Sequence, residues 1–153
     1  MSTMEAVVLS TLSEFFIADH RSAVAHAKAL DARTAPPAQL PRLEVPDLTD
    51  LDVEILAELA AKTVHATGTE CELGLVDIEL DTLFVVPEAV SAVFAELKDL
   101  EDQEEVAVLA ADWARTEEMA TTAEVTEPLV RALSELASGA DEDAMINLYF
   151  WAE

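Results

Sequence analysis

Almost every side chain in this sequence that could do chemistry is a carboxylate. Asp77-x-Glu79-x-Asp81 sets three of them at alternate positions. On a single strand they would share one face, about 7 Å apart along it. Oxygen clusters of that kind suit hard cations such as Mg²⁺ or Ca²⁺, so a carboxylate-rich metal-dependent enzyme is one reading. The alternation with Val76, Ile78 and Leu80 is also what a half-buried strand with one wet face shows, and that reading is preferred: no metal site is expected. Two denser runs follow. Asp99, Glu101, Asp102, Glu104 and Glu105 crowd into Lys98–Glu105, and Asp141, Glu142 and Asp143 are consecutive. Neither run has the spacing, central Gly and closing Glu of an EF-hand loop. Together they would make an acidic surface able to receive a basic partner.

Other chemistries find less support. His20 and His26 are six apart rather than the three or four that stacks two ligands on a helix face, and His65 stands away from both. Cys71 has no evident base beside it, and no G-x-S-x-G motif is present. With Gly68, Gly74 and Gly139 as the only glycines, a phosphate-cradling loop is nearly excluded. Trp113 reads as a core residue, and Arg115, three from Asp112 and three from Glu118, as a surface ion-pair cluster. Tyr149 and Trp151 are the side chains singled out for contact with a partner, although side chains of this kind are more often covered by a helix. No cofactor is expected.

The charge distribution carries most of the functional argument. The chain has 153 residues and a formal net charge of −24. Residues 1–43 hold four acids and four bases; residues 44–153 hold 28 acids against Lys62, Lys98, Arg115 and Arg131. All of the imbalance falls after residue 43. Such a surface repels nucleic acid and anionic membrane and attracts basic proteins, at a cost in self-repulsion. The 52% apolar content rules out a disordered acidic tail. A single cysteine cannot form an internal disulfide, the N-terminus lacks a secretory pattern, and no apolar stretch reaches the ~20 residues of a spanning helix. A cytoplasmic protein is expected.

The elements that would position these residues can be read from periodicity. Ala144–Ala152, with Tyr149, Phe150 and Trp151 side by side, predicts a closing strand. It would set Ile146, Leu148 and Phe150 on one face and Met145, Asn147, Tyr149 and Trp151 on the other. Near the start, Val7, Val8, Leu12, Phe15 and Phe16 could form a helix face, but Phe15–Ala18 also reads as a strand. The strand is preferred, followed by a helix capped by Asp19 and running through Val24, Ala27 and Leu30. Residues 31–48, with Pro36, Pro37, Pro41 and Pro46, predict an irregular connection. Thr49 with Asp52 is a capping-box variant opening a helix that buries Leu51, Ile55 and Leu59 alongside Val53, Leu56 and Ala60, and stops at Gly68. Strand residues follow over Leu73–Val86. Helices are then predicted from Pro87, over roughly 102–120 with Val106, Leu109, Ala110 and Trp113 inward, and from Thr126-Glu127-Pro128 to Gly139 with Leu129, Leu133 and Leu136 inward.

Three stretches carry a resemblance: Glu14-Phe15-Phe16-Ile17-Ala18, Trp113-Ala114-Arg115-Thr116-Glu117-Glu118 and Leu148-Tyr149-Phe150-Trp151. In type, order and rough spacing the chain resembles a broad group of small bacterial proteins, common in actinobacteria and loosely YfbM-like. The resemblance implies an α+β fold with the first and last strands in one sheet, and no activity, since none is established for the group.

These readings converge on a single acidic α+β domain, 1–153. A small, mostly antiparallel sheet including the C-terminal strand would be covered by four or five helices. The expected function is a non-enzymatic acidic binding protein, of inhibitor or immunity type, whose carboxylates mask a basic nuclease, toxin or nucleic-acid-binding protein. It would not itself bind nucleic acid or membrane. The partner surface would comprise Asp99, Glu101, Asp102, Glu104, Glu105, Asp141, Glu142, Asp143, Tyr149 and Trp151. Besides the metal enzyme, adaptation to a saline cytoplasm is the alternative.

Overall fold

A computed structural model describes residues 12–37, 39–46, 48–66, 68–117 and 119–152. The expectations for Val7, Val8 and Glu118 fall outside them. The order is β1 (Leu12–Ala18), α1 (His20–Ala32), β2 (Arg42–Pro46), α2 (Asp50–Thr63), β3 (Gly74–Asp77), β4 (Leu80–Val85), α3 (Glu88–Glu96), a 3₁₀ turn (Leu97–Asp99), α4 (Glu104–Ala114), α5 (Ala123–Ala137) and β5 (Asn147–Ala152). One five-stranded sheet, ordered β2-β1-β5-β4-β3, is antiparallel throughout. The fold is α+β, with the first and last strands paired at the centre of the sheet.

Strand alternation divides the core. Phe15, Ile17, Leu148 and Phe150 face the layer built from α2 to α5, where Val53, Leu56, Val90, Phe94, Leu109, Trp113 and Leu133 close a large apolar cluster. Phe16, Ala18, Tyr149 and Trp151 face the other way and pack with Leu83 under Ala23 and Ala27 of α1. Few polar groups enter the larger cluster, and those that do are bonded. Trp113 Nε1 donates to the Asp52 carbonyl at 3.1 Å, and Thr126 Oγ1 to that of Ala110 at 2.7 Å.

Local signals place several boundaries as read. Asp19 caps α1, accepting from Ser22 N at 2.8 Å. Thr49 and Asp52 form a complete capping box on α2. The inward faces of α3 and α4 are buried as the spacing requires.

Other boundaries differ, for physical reasons. The Pro-rich connection contains β2: Arg42–Pro46 pairs with β1, Glu14 opposite Glu44 and Phe16 opposite Arg42. Pro41 precedes the strand and Pro46 is its last residue, and an edge strand tolerates their missing N–H groups. Asp77–Asp81 is not one strand. Ile78 and Glu79 form the two-residue tip of the β3–β4 hairpin, Asp77 is paired with Leu80, and Ile78 is 86% exposed. The Asp77 carboxylate makes the turn by accepting from Glu79 N at 2.9 Å. Helix α2 ends at Thr63, short of Gly68. His65 takes the left-handed conformation (φ 61°), and Ala66 N closes back on the Ala61 carbonyl at 2.7 Å, a Schellman stop without glycine. Leu51 is half exposed, so the buried stripe of α2 is narrower than read. Helix α4 covers 104–114 rather than 102–120. Helix α5 begins at Ala123 and carries Pro128 inside it, its first turn held against α4 by the buried Thr126 hydroxyl. Leu133 is buried, whereas Leu129 and Leu136 pack at its margin.

Candidate functional site

The two acidic runs lie at opposite ends of α3. Asp141, Glu142 and Asp143 form the turn entering β5, closed by paired hydrogen bonds between the Asp141 and Ile146 backbones and by Asp143 N donating to the Asp141 carboxylate at 3.0 Å. Glu142 meets Glu88 in the first turn of α3. The shared hydrogen bond raises the Glu88 carboxyl above its ordinary value, with desolvation and the charges of Glu142 and Asp143 adding to it. The second run follows the other end of α3. Asp99 closes the 3₁₀ turn, and Glu104 and Glu105 open α4, where a helix N-terminus favours negative charge. Nine residues of helix separate the runs, about 14 Å at 1.5 Å per residue.

The loop beneath the second run is well tied. Gln103 Nε2 donates to the Leu97 and Leu100 carbonyls at 3.2 and 2.8 Å, and its Oε1 accepts from Arg131 at 2.8 Å. All eight carboxylates of the two runs are exposed. Among the described residues, Lys98 on Asp99 (3.5 Å) is the single ion pair made with either run.

Tyr149 and Trp151 do not belong to that surface. Each is 2% exposed, beneath α1 on the opposite side of the sheet. Trp151 Nε1 donates to Asp31 at 2.8 Å, and Thr82 Oγ1 reaches the same carboxylate at 2.9 Å, clasping β4 and β5 to α1. Burial raises the Tyr149 hydroxyl above its ordinary value. They are a covered sheet face and are removed from the candidate contact residues.

The remaining sequence candidates stay apart. Hairpin formation splits Asp77, Glu79 and Asp81 between two strands and a turn. Among the described residues, no three His, Cys, Asp or Glu side chains are arranged to hold a metal ion. Burial and the carboxylates of Glu58 and Glu54 push the Cys71 thiol up, which keeps it protonated and a poor nucleophile. Arg115 pairs with Asp112.

A second constellation escapes sequence reading altogether. Glu14, on β1 at the heart of the sheet, is 3% exposed and points to the α1 side with Phe16 and Ala18. Its Oε2 lies 2.5 Å from His26 Nε2, and its Oε1 accepts from Arg42 Nη1 at 3.2 Å. His26, itself 2% exposed, packs tilted against Phe16 with ring centroids 4.4 Å apart, and its Nδ1 has no hydrogen-bond partner among the described residues. Arg42 comes from β2, the strand hidden in the Pro-rich segment. A half-open cavity of about 390 Å³ lies beside the group, lined by His26, Arg42, Ala35, Pro36, Gln39 and Leu40. The available signal was a carboxylate alternating with Phe16 and Ala18 on an apolar strand face. Histidine spacing conceals it, because the partners lie 12 and 28 residues away.

Comparison with protein-family models, with curated proteins and with solved structures finds no match to this chain. Among the described residues, no helix is long and apolar enough to cross a membrane.

Proposed function

We propose that the protein is a non-enzymatic binding protein of inhibitor or immunity type, whose acidic surface masks a basic protein such as a nuclease, a toxin or a nucleic-acid-binding protein. One observation carries the reading. Asp99, Glu101, Asp102, Glu104 and Glu105 at one end of α3, and Asp141, Glu142 and Asp143 at the other, are all solvent-exposed and almost unmatched by cations. A rigid helix with a cluster of negative charge at each end offers a basic surface two fixed points of contact. Electrostatic attraction of that kind accelerates encounter and selects against acidic partners more than it adds affinity.

The test uses the intact protein as bait for basic proteins of its own cell, followed by association kinetics with the recovered partner. Association should slow steeply with added salt. Reversing Glu101, Asp102, Glu104 and Glu105 to Lys should slow it further while leaving the circular dichroism spectrum unchanged. A partner that binds equally well after reversal of both runs would refute the proposal. If those reversals instead raise stability at low salt and leave binding untouched, the acidity belongs to a saline habitat.

A further inference from the structure

The cavity beside Glu14, His26 and Arg42 is unlike the rest of the surface, and nothing in the proposed partner binding uses it. Its polar groups are held rigidly but incompletely. The Glu14 carboxylate fixes both the imidazole, through Nε2, and the guanidinium, through Nη1. Arg42 donates no other hydrogen bond among the described residues, its Nη2 standing 4.0 Å from Glu44. His26 Nδ1 is buried and orphaned. Buried polar atoms are ordinarily satisfied, and an exception calls for a ligand, a water or a functional reason. Ala35, Pro36 and Leu40 add apolar surface to the lining, and Gln39 a further polar group. The volume falls in the lower part of the ~300–1,000 Å³ range of small-ligand sites, where a few convergent polar groups in an apolar cleft set orientation.

Local charge indicates the class of ligand. Between residues 12 and 44 the cations Arg21, Lys28, Arg33 and Arg42 are balanced by four acids, Glu14, Asp19, Asp31 and Glu44, so this segment is neutral in a chain otherwise overwhelmingly negative. Glu14 is already engaged on both oxygens. The planar face of Arg42 that remains, Nε and Nη2, matches a carboxylate in bidentate geometry.

We propose that this cavity binds a small organic carboxylate with a compact apolar body, anchored by Arg42 and flanked by His26. The carboxylate meets the Nε–Nη2 edge of the guanidinium in place of the exposed Glu44 side chain, which stands 4.0 Å from Nη2, and the body rests on Ala35, Pro36 and Leu40. Glu14 is a positioning residue that holds the imidazole and the guanidinium in place. The site stands independently of the acidic surface, at the far side of the sheet from the α3 runs.

Benzoate is the probe, with benzamidine as its cationic counterpart, each titrated into ¹⁵N-labelled full-length protein and followed by NMR. Benzoate should give saturable shifts at Arg42 Nε, at the His26 imidazole and at the amides of Ala35, Gln39, Leu40 and Arg42, with benzamidine giving none there. Arg42→Gln should weaken benzoate at least tenfold. Because that variant also strips Glu14 of a partner, Ala35→Trp serves as the second: it sits at an exposed position, fills the cavity and leaves the ionic group intact. It should abolish the shifts with the fold retained. Arg131→Gln, remote from the cavity, should change nothing. Non-saturating benzoate shifts, equal binding of benzamidine, or benzoate binding that survives Ala35→Trp would overturn the proposal.

Discussion

The β1–α1–β2 unit and the helical layer of α2 to α5 treat the same carboxylate groups in opposite ways. In the first, Glu14 is buried in the sheet and each of its carboxylate oxygens is met by a side chain, Oε2 by His26 and Oε1 by Arg42. In the second, buried or half-buried carboxylates are satisfied by backbone: Asp52 accepts from Thr49 N at 2.9 Å and Glu54 from Leu73 N at 3.0 Å. Most of the others remain in solvent. Ion pairs there are local, as in Arg131–Glu127 one helical turn apart (3.1 Å) and Arg115–Asp112, and exposed pairs of this kind contribute about 0–1 kcal/mol. Removal of a carboxylate from water demands a specific answer, whereas a solvated one demands none. The charge-balanced third of the chain is therefore where single ionic residues carry stability, and the acidic remainder is where they are interchangeable.

The sharpest way to break that contrast is His26→Leu. Glu14 would keep only Arg42, whose side chain is 46% exposed, and breaking a buried pair costs about 3–5 kcal/mol. Urea unfolding should register a loss near the lower end of that range, since Arg42 and water still compensate in part. The double variant Glu14→Gln/His26→Leu should recover part of the loss. A cost no larger than that of an exposed pair would erase the distinction between the two regions.

Asp31→Ala tests the clasp on the same side of the sheet. It removes the acceptor of both Trp151 Nε1 and Thr82 Oγ1 and leaves a buried indole N–H unpaired, a loss of about 1–3 kcal/mol. The fluorescence of Trp151 should change with it, while Trp113 on the opposite layer is undisturbed. For the acidic remainder, the melting temperature should rise between low salt and about 1 M NaCl, where the Debye length is ~3 Å. Neutralising Glu101, Asp102, Glu104 and Glu105 to Gln should shrink that rise. A melting temperature indifferent to salt would mean that the charges are dispersed enough not to repel.

The smallest effect concerns Glu88. Its carboxyl is raised chiefly by the hydrogen bond with Glu142, so the folded state holds that proton more tightly than the unfolded chain does. The stability it contributes is complete below the ordinary glutamate value and is lost as pH rises through the raised one. Glu88→Gln should therefore flatten the pH dependence across the mildly acidic range and raise the melting temperature slightly at neutral pH. An unchanged pH profile would show that the pair is solvated like its neighbours.

What the sequence by itself determined is what local physics writes into it. The caps at Asp19 and Thr49, the inward faces of α3 and α4, and the alternation of Leu148 and Phe150 against Tyr149 and Trp151 all follow from periods of 3.6 and 2 and from side-chain-to-backbone bonds within a turn. The exposure of both acidic runs was legible in the same way. Tertiary structure alone decided the rest. Arg42–Pro46 becomes a strand because β1 offers it an edge, which no pattern within a proline-rich segment announces. Ile78 leaves the core because the chain reverses there. Tyr149 and Trp151 are covered because α1 crosses their face. Glu14, His26 and Arg42 meet because one strand pairing and one helix packing coincide, and the contacts they make depend on where distant segments lie rather than on any spacing along the chain.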